Sequence, residues 1–209
     1  MDVILTSKGL DTNDGQKLIK KAVISAVKSG KISEYSIGLI SQKKHMIDEI
    51  LIQSALRIGF GSAISISSMG DMKNITYPID FWYISGGNTF ELMDFIRKTG
   101  LDKIIKSTHT KVVIGSSAGA VILSSSIFIA SEFDENTVGM TDMCGLNLIP
   151  CWGEKPTTII PHYTNQELKR WKRHTEKEVL DEFEIINVSN NQFLLIDSGY
   201  PQYIYRGRI

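Results

Sequence analysis

The sequence is poor in the features that mark secreted, metal-binding and membrane proteins. It has only two cysteines, Cys144 and Cys151, and neither belongs to the paired CxxC spacing of a zinc site. Reduced structural thiols are the simpler interpretation, and nothing else indicates an oxidising compartment. The start lacks a basic segment followed by an apolar stretch, and no run of about 18 apolar residues occurs. We therefore expect a cytoplasmic protein with no membrane partner.

The sequence also has no excess of charge of one sign. Lys plus Arg and Asp plus Glu each total 23, so the formal net charge is zero. No basic stripe marks an interface for a polyanion. We therefore expect no nucleic-acid partner.

What is present fits an ordinary globular α/β protein. The 209 residues, 42% of them hydrophobic, suit one α/β domain over residues 1–209. Short β-branched segments alternate with longer segments of helical periodicity, which is typical of a mostly parallel sheet flanked by helices. Strands are predicted over 3–6, 36–40, 63–67, 81–84 and 111–114, and helices over 16–28, 46–58, 90–98 and 101–106.

The C-terminal third has a different pattern. A charged helix is predicted over residues 166–181. Short strands are predicted over 184–188, 192–196 and 203–205, with turn residues between them. These strands are expected to form antiparallel hairpins at one end of the sheet.

The clearest motif is Gly115-Ser116-Ser117-Ala118-Gly119. It follows a predicted buried strand and precedes an apolar helix, which is the context of a Gly-x-Ser-x-Gly nucleophile elbow. Small residues are needed there because strand and helix approach closely, and the strained turn exposes the serine hydroxyl. Ser117 is therefore the predicted nucleophile. Ser116 is the rival hydroxyl, but it lies one position before the apex.

Two backbone amides are candidates for an oxyanion hole. The Ala118 N–H follows the nucleophile at a helix N-terminus, where partial positive charge favours an anion. The second candidate lies in Ser85-Gly86-Gly87-Asn88-Thr89, between a buried strand and a helix that Asn88 or Thr89 could cap. Because glycine has no side chain, Gly87 can bring its N–H close to a bound carbonyl. Gly87 and Ala118 are the predicted donors.

A serine nucleophile needs a general base, usually a histidine whose tautomer is held by a carboxylate. Of the four histidines, His45 and His174 lie in charged segments typical of a surface. His109 precedes the strand that ends at the nucleophile and so lies at its far end. His162 follows an apolar run at a strand terminus, where the active sites of open α/β sheets collect. His162 is the predicted base.

The orienting acid is open among several carboxylates that lie between the nucleophile and the base. Glu132 directly follows an apolar segment, so it has the best chance of being held in place. Asp134 and Glu135 lie in what reads as a solvated turn, where charged residues are usually exposed. Glu132 is therefore favoured, with Asp134 and Asp142 as alternatives.

Three segments taken together resemble the peptidase E family, the aspartyl dipeptidases related to cyanophycinase. They are Gly-Gly-Asn-Thr at 86–89, Ser-Ala-Gly-Ala at 117–120 and Pro-His-Tyr at 161–163. The resemblance implies a class I glutamine amidotransferase-like fold, a three-layer sandwich, with serine where amidotransferases carry cysteine. It also implies Ser117 as nucleophile, His162 as base, Glu132 as acid, and Gly87 with Ala118 as oxyanion donors.

The resemblance implies a serine exopeptidase or dipeptidase acting on short peptides, including those that begin with aspartate, through an acyl-enzyme. It implies no metal or organic cofactor, and a small peptide is the expected partner. Ser85 replaces the first of three glycines common in the family, and the chain ends at Ile209, short of the final strands of longer relatives. No residue matches aspartate recognition. The alternatives are an α/β-hydrolase-type esterase and a catalytically silent small-molecule binding domain.

Overall fold

The structure is a computed structural model that describes residues 1–27, 31–42, 46–149, 155–164, 181–197 and 204–208. These residues contain nine strands. The strands are β1 (Asp2–Thr6), β2 (Ser36–Ile40), β3 (Ser62–Ile66), β4 (Phe81–Ile84), β5 (Val112–Ser116), β6 (Thr157–Ile160), β7 (Glu184–Asn187), β8 (Gln192–Ile196) and β9 (Ile204–Arg208).

Seven of the strands in the described residues form one sheet with the order β3-β2-β4-β5-β1-β8-β9. The first five strands of that order are parallel. β8 pairs antiparallel with β1, and β9 pairs antiparallel with β8. The predicted mostly parallel sheet with antiparallel strands near the C-terminus is therefore confirmed.

One part of the strand prediction is wrong. β7 does not form a hairpin at the edge of the large sheet, because it pairs in parallel with β6 in a separate two-stranded sheet. Parallel neighbours need a long crossover connection, and residues 161–183 supply one here. The turn signals after β7 gave no indication of a partner so far back in the chain.

Five α-helices occur in the described residues, and none of them is long and apolar enough to cross a membrane. Residues 166–180 of the predicted charged helix lie outside the described ranges. The helices are α1 (Asn13–Val27), α2 (Met46–Ile58), α3 (Thr89–Thr99), α4 (Leu101–Ile105) and α5 (Ala118–Val121).

Two hydrophobic cores lie on opposite faces of the large sheet, because successive strand residues point to opposite sides. On β4, Phe81 and Tyr83 join one core, whereas Trp82 and Ile84 join the other. Buried residues of α1 and α2 fill the first core, and buried residues of α3, α4 and α5 fill the second. Helices therefore cover both faces, as the three-layer prediction requires.

α5 is shorter than the apolar helix predicted after the nucleophile. The carbonyl oxygens that would continue it accept hydrogen bonds from a later segment instead. The Leu146 N–H donates to the Ile122 oxygen at 2.6 Å, and the Leu148 N–H donates to the Leu123 oxygen at 2.9 Å. Long-range contacts therefore override the local helical pattern here.

Candidate active site

The predicted nucleophile, base and glycine pair meet at the carboxyl ends of the parallel strands, together with Ser7, which was not predicted. Ser117 follows β5, and the pair Gly86-Gly87 follows β4. Ser7 follows β1, and His162 comes from the separate sheet, two residues after β6. All of them border one cavity of about 280 Å³. This is the sheet edge where ligands bind in open α/β folds.

Ser117 has the strained backbone expected of a nucleophile elbow. Its φ is 54° and its ψ is −118°, a conformation that costs a non-glycine residue about 1–3 kcal/mol. A Cβ atom on Gly119 would lie 2.1 Å from the Ile84 oxygen, and one on Gly115 would lie 2.5 Å from the Gly119 oxygen. The glycines of the motif are therefore required by close backbone approach.

The rival hydroxyl of Ser116 has a different environment. Ser116 is 1% exposed, so its hydroxyl is buried. The nearby Tyr83 hydroxyl, which borders the same cavity, accepts from the Leu10 N–H at 3.1 Å. Burial raises the pKa of Tyr83, so its hydroxyl stays protonated at neutral pH. These contacts fix the floor of the cavity and favour Ser117 as the reactive serine.

The imidazole of His162 lies within hydrogen-bond reach of Ser117. The distance from Ser117 Oγ to His162 Nε2 is 2.9 Å, which suits direct proton transfer. His162 also has a positive φ, 53°. Among the described non-glycine residues, only Ser117, His162 and Asn147 have positive φ. Two of these three unusual backbone positions therefore carry the predicted nucleophile and base.

The other ring nitrogen of His162 faces an amide. His162 Nδ1 lies 2.7 Å from Asn190 Oδ1. Because that oxygen only accepts, Nδ1 carries the proton and Nε2 presents its lone pair to the Ser117 hydroxyl. This is the tautomer that a general base needs, and asparagine has the same role in Cys-His-Asn proteases. Ser117, His162 and Asn190 therefore form a connected triad.

The amides of Gly87 and Ala118 have no acceptor among the described residues. Gly86 packs against the nucleophile, since a Cβ atom there would lie 3.1 Å from Ser117 Cβ. Gly87 has a φ of 151°, which favours glycine, and it borders the same cavity. The geometry allows the N–H groups of Gly87 and Ala118 to form an oxyanion hole, and this role remains a prediction.

Several known proteins are similar to this chain. The model of peptidase family S51 matches residues 63–202 of the chain. The chain belongs to peptidase family S51. An uncharacterized peptidase of Listeria monocytogenes is 32% identical over 137 residues, which cover 64% of each chain. An uncharacterized peptidase of Pasteurella multocida is 30% identical over 106 residues, which cover 49% of this chain and 48% of the relative. The chain thus spans less than two thirds of these relatives.

Two solved structures share the fold of this S51 chain. A candidate peptidase E from Listeria monocytogenes EGD-e matches with a TM-score of 0.71 and 23% identity, over 100% of this chain and 98% of that one. A peptidase from an acI-B1 Actinobacterium matches with a TM-score of 0.63 and 17% identity, over 93% of this chain and 82% of that one. At these identities the match establishes the fold alone.

In this S51 chain, the predicted acid must be corrected. Asn190 occupies the position at Nδ1 that the sequence assigned to Glu132. Glu132 ends a 3₁₀ turn, Phe128–Glu132. Asp134 instead caps α3, with Oδ2 accepting from the Thr89 N–H at 2.8 Å. Asn190 is an amide that lies 28 positions after the base, so the expectation of a carboxylate between nucleophile and base does not include it.

Asp142, the remaining alternative acid, does not border the cavity of this S51 chain. Asp142 Oδ2 pairs with Arg97 at 3.1 Å, and hydrogen bonding from Cys144 and the Arg97 charge lower the pKa of Asp142. The described ranges contain no group of three or more His, Cys, Asp or Glu side chains that could hold a metal ion. His109 precedes β5, at the opposite end from Ser117, whereas His45 and His174 lie outside the described residues.

Proposed function

We propose that this protein is a serine exopeptidase or dipeptidase that hydrolyses short peptides with Ser117 as nucleophile and His162 as general base. The observation that carries the proposal is the 2.9 Å contact between Ser117 Oγ and His162 Nε2, made by a serine on a strained elbow. Membership of peptidase family S51 supports the same reaction class.

The proposed reaction begins when His162 Nε2 accepts the proton of the Ser117 hydroxyl. Ser117 Oγ attacks the scissile carbonyl carbon, and the negative charge moves to the carbonyl oxygen near the amides of Gly87 and Ala118. Collapse of this intermediate breaks the C–N bond, and protonated His162 gives its proton to the leaving amine. The product is an acyl-enzyme on Ser117. Water then attacks the ester, with His162 again as base.

The size of the cavity supports short peptides as substrates, and Lys8 and Asp11 give its lining both signs of charge. A volume of about 280 Å³ is at the low end for small-ligand sites. Lys8 borders the cavity and pairs with Asp14 at 2.9 Å. Peptides that begin with aspartate are the first substrates to test, because the resemblance to peptidase E implies them.

A cytoplasmic location and one domain over residues 1–209 remain proposals that rest on the sequence.

The proposal is tested by incubating the protein with a library of dipeptides and tripeptides and reading the products by mass spectrometry. Ser117→Ala should lose activity by at least about a thousandfold, because the nucleophile is absent. Ser131→Ala is the matched control, since its exposed hydroxyl bonds only locally to the Phe128 oxygen, and it should keep full activity.

Three results would contradict the proposal. Retained peptide cleavage in Ser117→Ala would refute the mechanism. Hydrolysis of p-nitrophenyl esters without cleavage of any peptide would favour an esterase. Stabilisation by peptides without any turnover would favour a silent binding domain on the same scaffold.

A further inference from the structure

We propose that the buried hydroxyl of Ser7 is a positioning group that fixes His162 and the turn bearing Asn190 against the nucleophile. The inference rests on the proposed function and deepens it, because it concerns what holds the base in place. Ser7 itself makes no contact with the Ser117 hydroxyl or the imidazole ring among the described hydrogen bonds. Its role is therefore in positioning rather than in the chemistry.

The Ser7 hydroxyl joins two distant segments of main chain. Ser7 is 2% exposed and directly follows β1. Its Oγ accepts a hydrogen bond from the His162 N–H at 2.8 Å and donates one to the Val188 oxygen at 2.8 Å. These groups lie 155 and 181 positions along the chain from Ser7. One hydroxyl thus accepts a hydrogen bond from the residue that carries the imidazole and donates one to the segment that precedes Asn190.

This link matters because nucleophile and base come from different sheets. Ser117 follows β5 of the large sheet, whereas His162 follows β6 of the two-stranded sheet. Among the residues that the structure describes, no ladder of strand hydrogen bonds joins the two sheets. The residue before Ser7 holds the nucleophile, since the Ser117 N–H donates to the Thr6 oxygen at 3.0 Å. Thr6, the last residue of β1, and Ser7, which follows it, therefore hold the main chains of the proposed nucleophile and base.

The second contact extends the effect to the orienting amide. The Val188 oxygen accepts from Ser7 Oγ and also from the Tyr163 N–H at 3.0 Å. The Val188 N–H donates to the Ile160 oxygen at 2.9 Å. Val188 lies two residues before Asn190, so one bonded cluster fixes the start of the Asn190 turn and the chain on both sides of His162. His162 needs such support because its positive φ is unfavourable in isolation.

The test compares Ser7→Ala with Ser36→Ala. Ser36 is the matched control because it is also a buried serine at a strand end, 8% exposed. It begins β2 at the amino ends of the parallel strands, far from the cavity, and its Oγ accepts from the Asp80 N–H at 3.1 Å. A misplaced base slows the chemical step by up to about a hundredfold per ångström. Ser7→Ala should therefore lower kcat about tenfold to a hundredfold with KM nearly unchanged. Ser36→Ala should lose stability but keep kcat.

A second readout does not depend on turnover. In protein labelled with ¹⁵N-histidine, the Nδ1 proton of His162 should give an exchange-protected NMR signal in the wild type and in Ser36→Ala. The signal should broaden or disappear in Ser7→Ala, because the contact with Asn190 loosens. If the wild type hydrolyses no peptide, the proposed function fails, but this signal still tests the role of Ser7.

An unchanged His162 signal in folded Ser7→Ala, or a wild-type kcat in that variant, would overturn the inference. Should Ser7→Ala fail to fold, Ser7→Cys decides on the same two readouts, since a thiol fills the site but is a weak donor and acceptor. A reduced kcat and a broadened His162 signal in Ser7→Cys support the role. Wild-type values for both contradict it.

Discussion

In the proposed mechanism, Asn190 orients the base through a neutral amide where many serine hydrolases use a carboxylate. The amide oxygen fixes the tautomer of His162, as the 2.7 Å contact with Nδ1 shows. It adds no negative charge to stabilise the imidazolium that forms during attack by Ser117. The geometry of the triad is therefore complete, while its electrostatic support is weaker than that of a Ser-His-Asp triad.

Asn190→Asp should therefore raise kcat by about tenfold at neutral pH, which corresponds to about 1.4 kcal/mol of extra transition-state stabilisation. The acidic limb of the pH–rate profile should move to higher pH, because a neighbouring carboxylate favours the protonated ring. Asn191→Asp is the control, since that side chain accepts from Ser189 Oγ at 2.9 Å. An Asn190→Asp variant with unchanged kcat and profile would show that the amide does not act on His162.

The sequence predicts the residues of this site to different extents. Ser117 and His162 can be predicted because a local motif and a strand terminus mark them. Asn190 and Ser7 cannot be predicted in this way, because each contacts His162 across more than 25 positions of the chain. Only the folded structure brings these residues close to His162. The Asn190-Asn191 pair indicates only a chain reversal.

At the scale of the elements, Asp80 joins the amino ends of neighbouring strands. It precedes β4, and its Oδ2 accepts from the N–H and the hydroxyl of Ser36 on β2, each at 3.0 Å. Its Oδ1 pairs with Lys111, next to β5, at 2.9 Å. Partial burial opposes ionisation, but the hydrogen bonds from Ser36 and the Lys111 ammonium together lower the pKa of Asp80.

This lowered pKa predicts a specific dependence of stability on pH. A carboxyl whose folded pKa lies below its unfolded value of about 3.9 stabilises the fold fully above that value, and the contribution is lost as pH falls through the folded pKa. Asp80→Asn should therefore be less stable than the wild type at pH 7, with the difference shrinking below about pH 4. Urea unfolding from pH 7 to pH 3 measures this.

Asp94→Asn is the control for that experiment, because its ion pair with Lys98 at 2.6 Å lies on the surface of one helix. Removing such a pair usually costs less than about 1 kcal/mol. A stability difference between the wild type and Asp80→Asn that stays constant from pH 7 to pH 3 would contradict the role given to Asp80.

Element prediction succeeds where local pattern and burial agree. The limits of β2, β4, α2 and β8 match those expected from periodicity. It finds α5 and β7 as well, but not the early end of α5, whose following carbonyls bond to the 145–148 segment, nor the partner of β7, a strand far back in the chain. In both cases the segment that forms the hydrogen bonds is distant in sequence, so a short stretch of sequence around the element does not contain it.

At the scale of the whole molecule, two sheets meet to assemble one site. The large sheet supplies the nucleophile, the glycine pair and Ser7, and the two-stranded sheet leads into His162. The sequence predicts the parallel sheet and its functional edge, since both follow from α/β alternation. The second sheet is not foreseen, although it carries the base.

The most direct test of a reactive Ser117 is to treat the folded protein with a fluorophosphonate and locate the adduct by mass spectrometry. One adduct on Ser117 is expected, formed much more slowly in His162→Ala because the base that activates the hydroxyl is absent. An adduct on another serine such as Ser116, or no adduct on the folded wild type, would contradict the account.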